Sequence, residues 1–108
     1  AVQMKEMPSI PQVIYNEPLG RATLEVNGED LLLNASRFIC RGAEIFDGAL
    51  VLAAILGNDP TLKGKHVLEI GSGTGVGGLG AAVAGAKVVL SDLRQNLPLL
   101  EQNIHLNG

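Results

Sequence analysis

A glycine-rich stretch in the middle of the chain is the part of the sequence best suited to binding a ligand. The segment "LEIGSGTGVGG", residues 68–78, carries glycine at positions 71, 73, 75, 77 and 78. A ligand that requires the backbone to approach this closely, with side chains removed, is usually a nucleotide held by backbone N–H groups. The stretch therefore predicts a nucleotide-type cofactor, and other residues must decide which one.

Two cofactor templates overlap in this stretch. The spacing Gly73-x-Gly75-x-x-Gly78 fits the dinucleotide-binding pattern. The spacing Glu69-x-Gly71-x-Gly73-x-Gly75 fits the pattern of S-adenosylmethionine (SAM)-dependent methyltransferases. A carboxylate is unfavourable beside a pyrophosphate but favourable beside a sulfonium and an ammonium group, so Glu69 favours SAM. The alternative for Glu69 is a carboxylate that is merely hydrogen-bonded at a strand end.

A second carboxylate, Asp92, follows the apolar run "AKVVLS" and lies seventeen residues beyond Gly75. A carboxylate at this point can accept hydrogen bonds from both hydroxyls of an adenosine ribose, which either cofactor contains. The alternative role for Asp92 is to cap the following helix. About 60 residues precede the first strand of this half, whereas a dinucleotide-binding half usually begins close to its strand. This length again favours the methyltransferase pattern.

The C-terminal half of the sequence predicts the order β-α-β-α. The strands are "KGKHVLEIG" and "AKVVLSD", both expected to be buried on both faces, and the short links imply that they are parallel. The first predicted helix spans residues 75–84 and has Gly85 as its C-terminal cap. The second predicted helix is "NLPLLEQNIHLNG". Glycine weakens the first helix by about 1 kcal/mol per residue, so that helix must pack closely. The second should bury Leu97, Leu100 and Ile104.

The N-terminal half predicts a hairpin and a helix. The dipeptide Asn27-Gly28, which favours a type I′ turn, lies between "ATLEV" and "LLLNA" and predicts a β-hairpin over residues 21–34. The segment "FDGALVLAAILGNDP" predicts a helix that Asp47 caps and that ends before Pro60. We expect much of the circumference of this helix to be buried.

These elements predict an α/β fold: an N-terminal β-hairpin and helix, then the first β-α-β-α half of a Rossmann-like sheet. We assign residues 1–108 to a single partial domain, with residues 1–60 as an N-terminal extension and residues 61–108 as the cofactor-binding half. The sequence stops where a third parallel strand is expected, so we expect an incomplete domain whose uncovered strand edges could support self-association. The alternative is a small self-sufficient domain completed by the hairpin or by dimerisation.

Composition excludes several classes of partner. A formal net charge of −3, with 18% charged residues and no basic run, argues against nucleic acid. No apolar run reaches the roughly 18 residues that a membrane span needs. The single cysteine, Cys40, excludes an internal disulfide or a cysteine-cluster metal site, and we assign it no role. We therefore expect no metal and a cytoplasmic location, with the nucleus as the alternative.

Three segments resemble one family. "EIFDGALVLAAIL", "LKGKHVLEIGSGTGVGGLGAAVAGAKVVLSDL" and "NLPLLEQNIHLN" are similar to the seven-β-strand (class I) protein lysine methyltransferases of the methyltransferase-like group, from about residue 19 onward. The resemblance implies that Gly71, Ser72 and Gly73 line the methionine and ribose parts of SAM, and that Asp92 binds the ribose hydroxyls. Phe46 stands where this family usually has a tryptophan over the cofactor; it keeps an apolar ring but lacks the indole N–H. A packing role beneath the helix is the alternative for Phe46.

The resemblance implies methyl transfer from SAM to a protein lysine. We identify no catalytic residue, because the family's target-recognition residues belong to a later segment, and we expect the 108-residue chain alone to be inactive. His66 and His105 are interpreted as ordinary polar positions. The alternatives are a fragment of an NAD-dependent oxidoreductase, which the overlapping glycine spacing permits, and an inactive methyltransferase-like interaction module.

Overall fold

The computed structural model of the protein describes residues 2–4, 6, 8–35 and 44–108; Cys40 lies outside them. The strands are β1 (Ile14–Asn16), β2 (Arg21–Val26), β3 (Glu29–Asn34), β4 (His66–Ile70) and β5 (Lys87–Ser91). The helices are α1 (Asp47–Gly57), α2 (Val76–Val83) and α3 (Leu97–Leu106), with short 3-10 turns at Glu17–Leu19, Pro60–Leu62 and Arg94–Asn96. No helix in the described ranges is long and apolar enough to cross a membrane.

The predicted hairpin is confirmed. Strands β2 and β3 pair antiparallel from Arg21 opposite Asn34 to Val26 opposite Glu29, and β1 adds a third strand beside β2. At the turn, φ is 47° at Asn27 and 78° at Gly28, as a type I′ turn requires. The Asn27 side chain also donates to the carbonyl of Gly57 at 3.0 Å, so the turn is tied to the end of α1.

The hydrophobic core lies between the hairpin sheet and the first two helices. Leu33, Val26 and Val76 are its largest fully buried apolar side chains. They come from β3, β2 and α2, and Leu50 and Ala53 of α1 belong to the same cluster. The N-terminal hairpin therefore packs directly on the helix that follows the glycine loop.

Helices α1 and α2 approach each other through glycine. A Cβ at Gly80 would lie 2.6 Å from the Cα of Ala53, and a Cβ at Gly57 would lie 3.2 Å from the carbonyl oxygen of Gly80. A Cβ at Gly78 would contact Leu90 of β5. The close packing predicted for this glycine-rich helix is therefore present, against α1 as well as against the sheet.

The start of α1 differs from the prediction. The residue before the helix is Phe46, with no side-chain hydrogen bond to the helix, and Asp47 is the first helical residue. The prediction that Asp47 caps the helix was therefore wrong, because the helix begins at Asp47 itself, one residue earlier than predicted. A carboxylate in the first turn still interacts favourably with the helix dipole. Leu52 and Ile55 are each 39% exposed, so α1 is also less enclosed than predicted.

Strands β4 and β5 are parallel, as predicted, with His66 opposite Lys87 and Ile70 opposite Ser91. The expectation that both faces are buried was wrong. One face packs against α2, whereas the other leaves Leu68, Ile70 and Val89 exposed by 64%, 83% and 63%. These three residues are called the open sheet face below. The alternation arises because helices of the described chain cover one side of this two-stranded sheet.

Helix α3 buries a different set of residues from the predicted one. Leu100 is buried as expected, but Leu97 and Ile104 are 43% and 41% exposed. Asn103, which is fully buried, and Asn107 face the hairpin. The helix is therefore rotated so that amide side chains, rather than Leu97 and Ile104, contact β3.

Candidate cofactor site

The loop between β4 and α2 presents backbone to open space. Gly71 and Gly73 have φ angles of 72° and 57°, a conformation that side chains rarely adopt. Among the described residues, a Cβ at either position would meet no atom within 4 Å. Glycine is therefore needed at both positions for the conformation of the loop and not for internal packing. The space in front of these residues is open to a ligand.

Ser72, between these glycines, points inward. It is 8% exposed, and its hydroxyl lies 3.1 Å from the Ser91 amide that donates to it. The Ser72 amide donates to the Ser91 carbonyl at 2.9 Å, while the Ser91 hydroxyl donates to the Glu69 carbonyl at 2.7 Å. Ser72 therefore joins the loop to the ends of β4 and β5. Any contact with a cofactor would come from its backbone.

Asp92 joins β5 to the same loop. Its Oδ2 accepts the Gly73 amide at 2.6 Å, and its Oδ1 accepts the Leu93 amide at 2.6 Å and the Asn96 side-chain amide at 2.9 Å. The Asn96 hydrogen bond, followed by that from Gly73, lowers the pKa of Asp92 below its ordinary value, outweighing burial. Asp92 is therefore charged at neutral pH. Three of about four acceptor positions are used, which leaves one on Oδ2.

A cleft of about 290 Å³ lies where the loop and Asp92 meet. Its lining combines loop backbone, a carboxylate and apolar side chains: Ile70, Gly71, Ser91, Asp92 and Leu93. Three larger clefts, of about 360, 380 and 400 Å³, border the hairpin sheet and include none of the predicted site residues. The 290 Å³ cleft is therefore the place where the predicted loop and ribose-binding carboxylate come together.

Glu69 faces away from this cleft, towards α2. Its Oε1 accepts the Gly78 amide at 3.2 Å, and a Cβ at Gly77 would lie 2.5 Å from its Oε2. The carboxylate thus fits against the first turn of α2, whose preceding residue, Gly75, has no side chain to cap the helix. This is the structural alternative considered for Glu69. A direct contact between Glu69 and a cofactor stays a prediction.

Phe46 lies apart from the loop in sequence and on another element. Its carbonyl accepts the amides of Ala49 and Leu50 at 3.0 and 3.2 Å, and 55% of its surface is exposed. It does not line the 290 Å³ cleft. An exposed ring is available to a ligand, and its closure over a cofactor stays a prediction.

Sequence reasoning missed the residues that hold Asp92 and the loop. Asn96 donates to Asp92, and Ser91 binds both Ser72 and the Glu69 carbonyl. A signal was present for Asn96, because an amide four residues after a carboxylate can reach it when the chain turns into a helix. Across the described residues, no group of three or more His, Cys, Asp or Glu side chains is placed to hold a metal ion.

A sequence model described as lysine methyltransferase matches residues 27–108, which include the hairpin turn, helices α1, α2 and α3, the glycine loop and Asp92. The chain belongs to the lysine methyltransferase family. The resemblance inferred from the sequence is thereby confirmed.

Three related proteins are also named lysine methyltransferases. A zebrafish (Danio rerio) protein N-lysine methyltransferase METTL21A is 42% identical over 66 residues, which are 60% of this chain and 30% of that protein. Mouse (Mus musculus) EEF1A lysine methyltransferase 3 is 36% identical over 66 residues, covering 60% of this chain and 28% of that protein. Mouse protein-lysine methyltransferase METTL21E is 38% identical over 71 residues, covering 63% and 29%. The matches thus span less than a third of the length of these relatives.

A solved structure described as a SAM-dependent methyltransferase from Streptococcus mutans superposes with a TM-score of 0.61. The two sequences are 24% identical, and the superposition covers 87% of this chain and 25% of the Streptococcus mutans chain. A structure described as a methyltransferase complexed with SAH gives the same values. At this identity the likeness shows the fold, and the predicted α/β, Rossmann-like class is confirmed.

Proposed function

We propose that this chain forms the methionine- and ribose-binding side of a SAM site in an enzyme that methylates the lysine side chains of proteins. Gly71 and Gly73 line the cofactor with backbone, and Ser72 fixes that backbone to the strands. Asp92 accepts a ribose hydroxyl at the acceptor position left on its Oδ2, and the ring of Phe46 shields the cofactor.

The observation that carries the proposal is the hydrogen bond from the Gly73 amide to the charged Asp92, at 2.6 Å. It brings the open backbone of the loop and a carboxylate with free acceptor capacity to one cleft. Ribose hydroxyls are donors that such a carboxylate accepts strongly, because hydrogen bonds to charged groups are stronger than neutral ones. The same wall offers apolar contact from Ile70 and Leu93 to the rest of the ligand.

The position of Glu69 favours SAM over a dinucleotide. In the dinucleotide pattern, a pyrophosphate binds to free amides at the N-terminus of the helix after the loop. Here the Gly78 amide in that first turn already donates to the Glu69 carboxylate. A second anion would meet both a used donor and a negative charge. A sulfonium cofactor avoids that repulsion.

SAM supplies an electrophilic methyl group, and the acceptor must be a neutral amine. The contribution of this chain is to orient the cofactor and to limit its freedom, which lowers the barrier by pre-arranging the reacting atoms. The choice of protein lysine as acceptor rests on the family and on the names of the relatives. We assign no residue of this chain to removing the lysine proton.

We further propose that the chain self-associates through the open sheet face and the outer sides of β4 and β5, which pair with no other strand among the described residues. Contiguous exposed apolar side chains next to unpaired strand backbone favour association with a second copy.

A cytoplasmic or nuclear location remains part of the proposal, consistent with a protein-modifying enzyme that has a single cysteine.

The test is a titration of the ¹⁵N-labelled chain with SAM, with SAH and with NAD, followed by amide chemical shifts at millimolar ligand so that weak binding is detected. We expect SAM and SAH to shift the amides of residues 71–73 and 92–93. In Asp92→Asn, the loss of the charged acceptor should weaken SAM binding roughly 10- to 150-fold, since a hydrogen bond to a charged group contributes about 1.5–3 kcal/mol.

Asp59→Asn is the matched control. Asp59 also accepts hydrogen bonds, from the amide and hydroxyl of Thr61 at 2.9 and 2.6 Å, which lower its pKa. It precedes β4, at the end of the sheet opposite the loop. Asp59→Asn should leave SAM binding unchanged. Shifts caused by NAD but not by SAM, or equal losses in the two variants, would contradict the proposal.

A further inference from the structure

Asn103 is a buried amide that connects three elements. It lies on α3 with 0% of its surface exposed. Its Oδ1 accepts the Asn34 amide of β3 at 2.6 Å, and its Nδ2 donates to the Asn34 carbonyl at 3.1 Å. The same Nδ2 donates to the carbonyl of Thr74 at 2.8 Å. All of its side-chain hydrogen bonds therefore go to backbone, and one of them goes to the glycine loop.

Thr74 is the residue through which the loop is held. It is 2% exposed and lies between Gly73, whose amide donates to Asp92, and Gly75, whose amide donates to the Ser72 carbonyl at 2.8 Å. Fixing the Thr74 carbonyl fixes the peptide plane between Thr74 and Gly75, where the loop enters α2. The buried amide of Asn103 thus restrains the glycine loop, whose backbone faces the cleft.

Asparagine is required for this geometry. One side chain must accept one hydrogen bond and donate two, which a carboxylate cannot do and an apolar side chain cannot replace. Removal of the amide would leave the carbonyl of Thr74 without this partner in a buried position, at a desolvation cost. The arrangement therefore depends on the amide itself and not on its volume.

Asn107, one helical turn later, provides a natural comparison. Its Oδ1 accepts the Leu32 amide at 2.9 Å, and its Nδ2 donates to the carbonyls of Leu32 and Asn103, both at 2.7 Å. It thus holds the same strand β3 to the same helix α3. The hydrogen bonds that it makes do not reach the loop.

We propose that Asn103 is a positioning residue for the cofactor loop: it ties the Thr74 carbonyl to the N-terminal hairpin and thereby keeps the Gly73 amide on Asp92. The effect on SAM binding rests on the proposed function, whereas the effect on the loop does not. The N-terminal hairpin then contributes to the cofactor site without touching the cofactor.

The test compares Asn103→Ala with Asn107→Ala in the full 108-residue chain, by hydrogen exchange of individual amides without ligand. Rates at Gly73 and Gly75 are divided by the rate in the interior of α1, so that a global loss of stability cancels. We expect Asn103→Ala to raise this ratio at least tenfold, and Asn107→Ala to raise exchange at Leu32 while changing the loop ratio less than twofold. Equal loop ratios in the two variants would overturn the proposal.

Two further measurements complete the test. If Asn103→Ala does not fold, the unsubstituted chain decides: a scalar coupling across the hydrogen bond from the Asn103 Nδ2 to the Thr74 carbonyl carbon supports the proposal, and its absence overturns it. SAM titration is run in parallel and should show at least tenfold weaker binding in Asn103→Ala than in Asn107→Ala. Absence of SAM binding by the unsubstituted chain counts against the proposed function, while the loop ratios still decide the role of Asn103.

Discussion

The contact between α1 and α2 leaves no room for a side chain at Gly80, and this yields a quantitative prediction. A Cβ at position 80 would lie 2.6 Å from the Cα of Ala53, 2.7 Å from its carbonyl oxygen and 2.9 Å from its Cβ. Two of these three atoms belong to the backbone, so no side-chain rotation relieves the overlap. In Gly80→Ala the two helices must move apart at the middle of α2.

Two opposing terms set the size of the effect. Overpacking a close contact costs about 1–3 kcal/mol, and contact with backbone places this case at the upper end. Replacing glycine by alanine inside a helix returns about 1 kcal/mol. We therefore expect Gly80→Ala to lower the free energy of unfolding by about 2 kcal/mol. For a domain of this size, Tm should fall by roughly 8–16 °C.

Gly48→Ala is the matched control, because Gly48 is also helical and no atom of the part of the chain that the structure describes lies within 4 Å of a Cβ built there. It should be neutral or stabilising by up to about 1 kcal/mol. Urea and thermal unfolding followed by far-ultraviolet circular dichroism measure both variants. A Gly80→Ala chain as stable as the unsubstituted one would refute the close helix contact. A Gly48→Ala chain that is equally destabilised would show that the loss does not come from that contact.

Two further predictions concern the loop and the open sheet face. Because Asp92 has a lowered pKa, its hydrogen bond to Gly73 should persist from about pH 8 to about pH 5. The stabilisation from this hydrogen bond should be lost as the pH falls below the ordinary aspartate pKa of 3.8 and through the lowered pKa of Asp92. The chemical shift of the Gly73 amide, followed as a function of pH, measures this loss. Ile70→Lys should change the free energy of unfolding by less than about 0.5 kcal/mol, since Ile70 is 83% exposed. It should nevertheless reduce self-association in sedimentation velocity, and an unchanged sedimentation profile would contradict association through this face.

Elements fixed by local chemistry were predictable from the sequence. The turn at Asn27-Gly28 needs positive φ at both residues, which few other dipeptides allow, so the hairpin over residues 21–34 followed. The parallel pairing of β4 and β5 followed from the short β-α-β connection. The meeting of the glycine loop and Asp92 followed from that pairing, because both stand at the carboxyl ends of adjacent parallel strands.

Features that depend on the packing partner were not predictable. Periodicity shows that α3 has an apolar stripe but not which neighbour it meets, so Leu97 and Ile104 were placed inside and Asn103 was overlooked. The direction of the Glu69 side chain depends on the space left by Gly77 and Gly78, which lie eight and nine residues further along the chain in α2. Spacing places Glu69 beside the loop, whereas the packing of α2 turns it inward.

The two amides on α3 have a consequence for the solubility of the hairpin. Strand β3 is at one side of the three-stranded sheet, and its outward backbone groups would otherwise be a template for a strand of another molecule. At Leu32 and Asn34, each N–H and each C=O is instead paired with the side chain of Asn107 or Asn103. The side chains of α3 thus take the hydrogen-bonding positions that a fourth strand would occupy. At these positions the edge of the sheet is not available for the edge-to-edge pairing that leads to amyloid.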